Sequence, residues 1–443
     1  MGGSPTRSPR AIVLALNGTT LGAIGSAAGA DGLPGVASLL GQGVRCGIQS
    51  TTPPNPACAW TSFITARDPG GHGVFDSQQL RPGTYDLVPA IGNSPRAGTL
   101  WHYLNDVGFR VGLYDVPWVC PPPALNGWDV RAGDEARVGP PRALLESYPV
   151  DVCVLGATPE SWGEVHEALS VRSEETLLMA VAAYGLAPAR VRVNVARVLA
   201  DAGLLCYCPG AQGAEAVGFE RVDWARTRAF SWGSFAQVRL NLRGREPEGV
   251  VVAEERERTV AEVKQALLHV EHPETGERLF TEALTPEELY PGPNVGAAAD
   301  VLGLSAPGVD ASIHIAAPDA PLLLVAEGET TVPTREGRLL AAGPAFRAGD
   351  GEAVPRAARS ALGLGEPTIM DVGPTLLHAL GLPLPPDVDG RPIRRVFDPG
   401  YLAEHPPRCS EARLGRHEAP GQPAYSQEEA EQVEKRLRDL GYM

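Results

Sequence analysis

Short apolar runs recur along the chain between stretches of helical period and turns rich in Gly and Pro. They fall at Ala11–Leu16, Val111–Tyr114, Val150–Leu155, Leu177–Ala183, Gln237–Leu242 and Pro321–Val325. Runs of this kind, with little polar alternation, are the pattern of parallel strands buried on both faces. Thr259–Val270 has a different rhythm, with Val260, Val263, Leu267 and Val270 on one face of a helix. Strands of the first kind interleaved with helices of the second predict an α/β fold with helices on both faces of a mostly parallel sheet.

At 443 residues the chain exceeds the usual size of one domain. It forms either two domains or one large α/β domain with insertions. No internal repeat is evident. The body is expected over residues 11–397, followed by a loop-rich linker at 398–424 and a C-terminal docking helix over 425–443. Ser426 and Glu429 stand at the spacing of a capping box, Val433, Leu437 and Leu440 make an apolar stripe, and Gly441 ends the helix.

Lys and Arg number 38 against 53 Asp and Glu, a net charge of -15, and no basic block interrupts that balance. Nucleic acid and anionic membrane are poor partners for such a surface. The seven cysteines, at positions 46, 58, 120, 153, 206, 208 and 409, are odd in number and lack the paired Cys-x-x-Cys spacing of zinc sites. Reduced thiols in a cytoplasm fit that usage better than a disulfide framework. The first ten residues are polar and Ala11–Leu16 is too short for a signal core or a membrane span, so a soluble protein is expected.

Three segments, Leu16-Asn-Gly-Thr-Thr20, the stretch from Ser50 to Ser62 with its Thr51-Thr-Pro-Pro-Asn-Pro56 core, and Pro69-Gly-Gly-His-Gly-Val-Phe-Asp76, together resemble bacterial type I phosphodiesterases. Further matches are Asp223-Trp-Ala-Arg-Thr-Arg-Ala229, Asn241-Leu-Arg-Gly-Arg-Glu-Pro-Glu-Gly249, Pro273-Glu-Thr-Gly276, and Asp371-Val-Gly-Pro-Thr-Leu-Leu-His378 with Asp389-Gly390 and the ending Leu440-Gly-Tyr442. The resemblance covers nearly the whole chain in the order of the type I phosphodiesterase/nucleotide pyrophosphatase family. It implies the alkaline-phosphatase-like three-layer α/β/α sandwich with a mostly parallel central sheet.

Hydrolysis in that family, as the resemblance implies it, uses two divalent ions held by aspartates and histidines and a Thr or Ser oxygen that attacks phosphorus. Two dications close together need anionic and imidazole ligands, and they clamp the attacking and leaving oxygens. The matching positions here carry other residues. Asn17, in Asn17-Gly18, stands where the first Asp is expected; its amide either keeps a binding role or makes a local turn bond. Pro56 stands at the place of the nucleophile. It still suits a helix start, with Asn55 as N-cap and Trp60, Phe63 and Ile64 on the buried face. Ala183-Tyr184-Gly185 matches the family's Asp-His-Gly segment. The Asp-x-x-x-His pair falls near Pro159 to Glu164 and the last His near Pro333 or Thr334, and no His stands at those places. The stretch from Thr158 to Ala183 is shorter than its family counterpart. Loss of one group behind the ligands costs metal affinity about 10–100-fold; here the ligands themselves are replaced, so neither metal nor cofactor is expected. His72 belongs to a structural turn in the family, His378 is read as a hydrogen-bonded core residue, and His166, His269 and His272 are placed at the surface.

A kept scaffold around an emptied metal site favours a non-hydrolytic pseudoenzyme. It would bind a small-molecule ligand or a protein partner, an active paralogue among them, in the former active-site cleft, with Asn17, Pro56, Trp60 and Ala183 at the binding site. The alternative is a metal-independent enzyme of small-molecule biosynthesis that reuses the cleft, with Cys58, Thr61 and Tyr184 as catalytic candidates. Cys58 lies in the first turn of a helix, where backbone N–H groups favour a thiolate, or is a small packed residue. Tyr184 is a phenol donor at a strand end or a bulky plug. Metal-dependent phosphodiester hydrolysis is the third reading, with ligands elsewhere in 156–185 and 326–337. Asn17, Cys58 and Tyr184 are expected to converge at the C-terminal edge of the sheet.

Overall fold

The structure is a computed structural model that describes residues 8–17, 43–90, 97–118, 125–131, 139–210, 219–311, 320–325, 330–348 and 365–414. These residues form two compact units. The first takes in the described parts of Met1–Asp68, Ile91–Leu186 and Thr334–Ala424, the second those of Pro69–Ala90 and Ala187–Pro333. The body read as residues 11–397 is thereby divided between two units. The linker at 398–424 holds a short helix, Pro399–Glu404, in its described part, and the helix expected over 425–443 lies outside the described residues.

A seven-stranded sheet organises the first unit. Its strands are β1 (Ala11–Leu16), β2 (Val44–Gln49), β3 (Val111–Tyr114), β4 (Gly127–Val130), β5 (Val152–Ala157), β6 (Leu177–Ala182) and β7 (Glu336–Ala342). They lie in the order β2-β7-β6-β1-β5-β3-β4. All run parallel except β7, which is antiparallel to both its neighbours. β1 is central, paired with β5 from Ala11↔Val152 to Leu16↔Ala157 and with β6 from Ala11↔Leu177.

Every residue of β1 is buried. Ala11, Val13 and Ala15 pack with Trp60 and Phe63 of α1 (Pro56–Thr65), Leu100 and Leu104 of α2 (Leu100–Asp106) and Leu376 of α5 (Val372–Ala379). Ile12, Leu14 and Leu16 face the other way, onto Leu144 of α3 (Pro141–Ser147) and Trp162 and Val165 of α4 (Trp162–Leu169). Two-sided burial explains why the run reads as continuously apolar. It also makes this unit a three-layer α/β/α sandwich around a mostly parallel sheet. Each Leu or Ile so buried contributes about 1.5–3 kcal/mol.

Two of the six apolar runs belong to the second unit and are not parallel strands. Gln237–Leu240 lies between Ala229–Ser231 and Val301–Ser305 in a four-stranded sheet and is antiparallel to both. Leu323–Val325 pairs antiparallel with Val191–Val193. A run this short carries no direction, and Arg239, half-buried and bonded to Glu246 at 2.7 Å, interrupts the two-sided burial of a central parallel strand. The helix Arg256–Leu268 covers the four-stranded sheet through Val260, Val263 and Leu267, which pack with Phe230, Phe280 and Val301. Among the described residues no helix is long and apolar enough to cross a membrane, and none of the six described cysteines is in a disulfide.

His378, on α5, is 3 % exposed and meets the rings of Phe397 at 4.9 Å and Tyr401 at 5.8 Å. Contrary to the hydrogen-bonded core residue expected, its Nε2 has no hydrogen-bond partner. Burial first, then the nearby charges of His405 and Arg394, hold its pKa below the ordinary 6.5. The unfolded chain therefore takes up a proton that the folded chain resists. The resulting stability is fully present above the unfolded value and is lost as pH falls through the folded one. His378→Phe is expected to flatten the decline of the denaturant midpoint between about pH 7 and about pH 5. An unchanged decline in that variant would assign the acid sensitivity to other groups.

Candidate functional site

The carboxyl ends of β1, β2, β3, β5 and β6 share one edge of the sheet, the edge at which open α/β folds bind ligands. Asn17 prolongs β1, its backbone N–H donating to the Ala157 carbonyl at 3.1 Å. Tyr184 follows β6 and is 5 % exposed. Its hydroxyl donates to Asn17 Oδ1 at 3.1 Å, so the structure brings these two residues together across neighbouring strands. Ala183, beside Tyr184, is buried. Gly185 lies so close to Thr334 Oγ1 and the Glu336 carbonyl that a Cβ has no room there. Packing accounts for the one residue of Ala183-Tyr184-Gly185 that keeps the family's identity.

α1 covers the same face of the sheet. Asn55 caps it, its Oδ1 accepting the Ala57 N–H at 2.8 Å, and Pro56 opens it. The cap satisfies a donor that the helix leaves orphaned, and a proline costs nothing at a position whose N–H has no partner. All ten residues of the helix are buried. Cys58 and Trp60 have no exposed surface, and Trp60 stands edge-on to Phe63 at 6.0 Å. Thr61 is buried as well, and its carbonyl accepts the Thr65 hydroxyl at 2.8 Å. Cys58 and Thr61 are therefore held inside the helix layer.

Ser50 was not singled out by the sequence. It follows β2, and by strand alternation it shares a face with Cys46, Ile48, Val13, Ala15 and Asn17. Its backbone N–H donates to the Arg335 carbonyl at 2.8 Å, yet its Oγ is buried without a hydrogen-bond partner. The signal was the parity of β2, readable only once the strand's limits are known. Asp115 and Trp118, just past β3, have φ of 47° and 62°. Such left-handed non-glycine residues tend to gather at functional edges.

The other matched positions serve the backbone. Thr158 and Ser161 form a capping box ahead of α4, with Ser161 Oγ accepting the Thr158 N–H at 3.0 Å. Helix-start chemistry thus occupies the place of the Asp-x-x-x-His pair. His166, on α4, is half-buried, with its Nδ1 enclosed and lacking a partner. His269 is exposed; His272 is half-buried and accepts the Glu274 N–H at 3.3 Å. His72, read as part of a structural turn, ends the one-turn helix Pro69–His72, and its Nδ1 accepts the Val74 N–H at 3.1 Å. Asp76 is buried and bonded to the Ser77 N–H at 2.6 Å, the Ser234 N–H at 2.7 Å and the Gln237 amide. Asp371 accepts the N–H groups of Thr368 and Arg391, both at 2.7 Å. Asn241 donates to the carbonyls of Trp224, Thr227 and Glu248 and accepts the Tyr85 hydroxyl.

Two divalent ions, as the resemblance implies, do not fit the matched donors among the described residues of this edge. The Asn17 amide oxygen is engaged by a proton donor, Pro56 and Ala183 offer no side-chain donor, and a neutral phenol is a poor ligand beside a carboxylate. Among the described residues no three His, Cys, Asp or Glu side chains are grouped to hold a metal ion.

No family model and no curated protein matches the sequence. Solved structures match it in fold. Phosphonoacetate hydrolase from Sinorhizobium meliloti 1021, in complex with phosphonoformate, is 17% identical at a TM-score of 0.51, over 83% of this chain and 94% of that one. Human ectonucleotide pyrophosphatase/phosphodiesterase 5 is 11% identical at a TM-score of 0.50, over 85% and 95%. Likeness at such identities is a likeness of architecture, and by it this chain has the alkaline-phosphatase-like α/β fold.

Proposed function

We propose that this protein is a non-hydrolytic member of the phosphodiesterase/nucleotide pyrophosphatase family that binds a small-molecule ligand or a protein partner at the carboxyl edge of its sheet. The observation that carries this reading is the Tyr184 hydroxyl bonded to the Asn17 amide where the family places ligands for metal. A phenol paired with an amide supplies neutral donors and acceptors, which orient a polar group but neither hold a dication nor activate a hydroxyl. The complete burial of Cys58 favours binding over covalent catalysis at this edge. The acidic composition speaks for partners other than nucleic acid or anionic membrane, the cysteine usage for a cytoplasmic setting, and the resemblance to bacterial phosphodiesterases for a bacterial one.

Protein purified with added zinc or manganese is expected to retain no stoichiometric metal after dialysis and to leave nitrophenyl phosphodiesters uncleaved. Asn17→Asp combined with Pro56→Thr returns one ligand and the hydroxyl but not the remaining ligands, so it should stay inactive. Appreciable diesterase activity in that double variant, or two tightly held ions per chain in the parent, would sink the non-hydrolytic reading. A separate measurement addresses the covalent alternative. Iodoacetamide should modify the exposed Cys409 well before the enclosed Cys58. Preferential labelling of Cys58, with loss of a measured activity in Cys58→Ser, would put the enzyme reading first.

A further inference from the structure

The second unit holds two cysteines on either side of a single bridge residue. Cys206 and Cys208 flank Tyr207, which forms an antiparallel bridge with Val222. The backbone is pinned on both sides of that bridge. The Cys208 N–H donates to the Arg221 carbonyl at 2.8 Å, and the Asp223 N–H donates to the Cys206 carbonyl at 2.9 Å. Thr227 Oγ1 accepts the Cys206 N–H at 3.1 Å and donates to the Cys206 carbonyl at 3.2 Å. Residues two apart in extended chain point to one face, so both thiols share a face while Tyr207 takes the other. Both cysteines are half-buried, and neither is in a disulfide. The register of the bridge sets Asp223 opposite Cys206 and the exposed Arg221 opposite Cys208.

Cα atoms two residues apart along a strand are separated by about 6.4–6.8 Å. That is the outer limit of the about 4.4–6.8 Å range of disulfides, and parallel side chains do not turn toward each other. An S–S bond of about 2.05 Å would require this pinned segment to pinch. One metal atom between the sulfurs, at about 2.3 Å from each, lets them stand more than twice as far apart. A structural zinc site takes four ligands, and among the described residues no three His, Cys, Asp or Glu are grouped for that purpose. Two soft donors without a third suit a soft cation content with two ligands.

We propose that Cys206 and Cys208 form a two-thiolate site for a soft monovalent metal cation of the Cu(I) type. Binding releases one proton from each thiol and forms two metal–sulfur bonds, with no change of oxidation state. The bis-thiolate complex carries a net charge of -1, for which Arg221 is the adjacent countercharge. The site is independent of the function proposed for the carboxyl edge.

Anaerobic titration of the reduced full-length protein with Cu(I), against a colorimetric Cu(I) chelator, is expected to show one tightly held ion per chain. Cys206→Ser and Cys208→Ser should each weaken it at least about tenfold, whereas Cys409→Ser, which removes an exposed thiol, should leave it unchanged. In the parent protein, bound Cu(I) should shield Cys206 and Cys208 from alkylation as mapped by peptide mass spectrometry, a readout that does not depend on any variant folding. Full affinity in the Cys206→Ser/Cys208→Ser double variant overturns the proposal. So does undiminished alkylation of both residues in the loaded protein, or surrender of the ion to the chelator by the parent.

Discussion

Burial of β1 on both faces is the constraint from which the rest of the first unit follows. A strand whose six residues all lose contact with water must be flanked by strands on both edges and by helices on both sides. Its parallel register with β5 and β6 then determines what stands beyond the carboxyl ends. Asn17 continues β1, Tyr184 follows β6, and one hydrogen bond joins them. The edge chemistry is thus positioned by the core beneath it, and a shift of one residue in β1 would send Asn17 to the opposite face.

Much of what makes the sequence look like a phosphodiesterase is backbone engineering. α1 ends at Ala66 in the left-handed region, φ 51°, without a glycine. Its carbonyl there accepts the N–H groups of Asp389 at 2.9 Å and Gly390 at 3.3 Å, and Gly390 lies against the Met370 carbonyl with no space for a side chain. Asp371 ties two further N–H groups nearby. In the second unit Arg245 binds Asp300 through two bonds of 2.6 and 3.1 Å, with Asp300 almost wholly buried. Arg245 also bonds Glu246 at 2.7 Å and Asp300 also meets Arg256 at 3.6 Å, so the pair belongs to a network of charges. These residues hold backbone and core in place, a role that does not depend on whether any ester is cleaved.

At the edge itself the substitutions support one another. A carboxylate at position 17 and an imidazole at position 184 would need a cation between them; the amide and phenol present instead satisfy each other directly. Pro56 likewise works with Asn55, one preset for the first helical turn and the other capping it. Hydrogen bonding and packing hold these residues in place at the edge.

How much of this was legible beforehand depends on the range of the interaction. Local physics sufficed for the apolar runs of β1, β3, β5 and β6, for the cap at Asn55, and for the amphipathic face of Arg256–Leu268, because burial and capping leave marks within a few neighbouring residues. The order of the matched segments carried the fold class. Strand direction was not readable for Gln237–Leu240 and Leu323–Val325, since a short apolar run looks alike in either orientation. Neither was the enclosure of Ser50 Oγ or of His166 Nδ1, because burial depends on which distant segments close over a residue. The sequence by itself determined which chemical groups are available at the sheet edge. Only the tertiary structure decided which of them meet, because the Asn17–Tyr184 bond joins residues far apart in the chain that sheet register alone brings within reach.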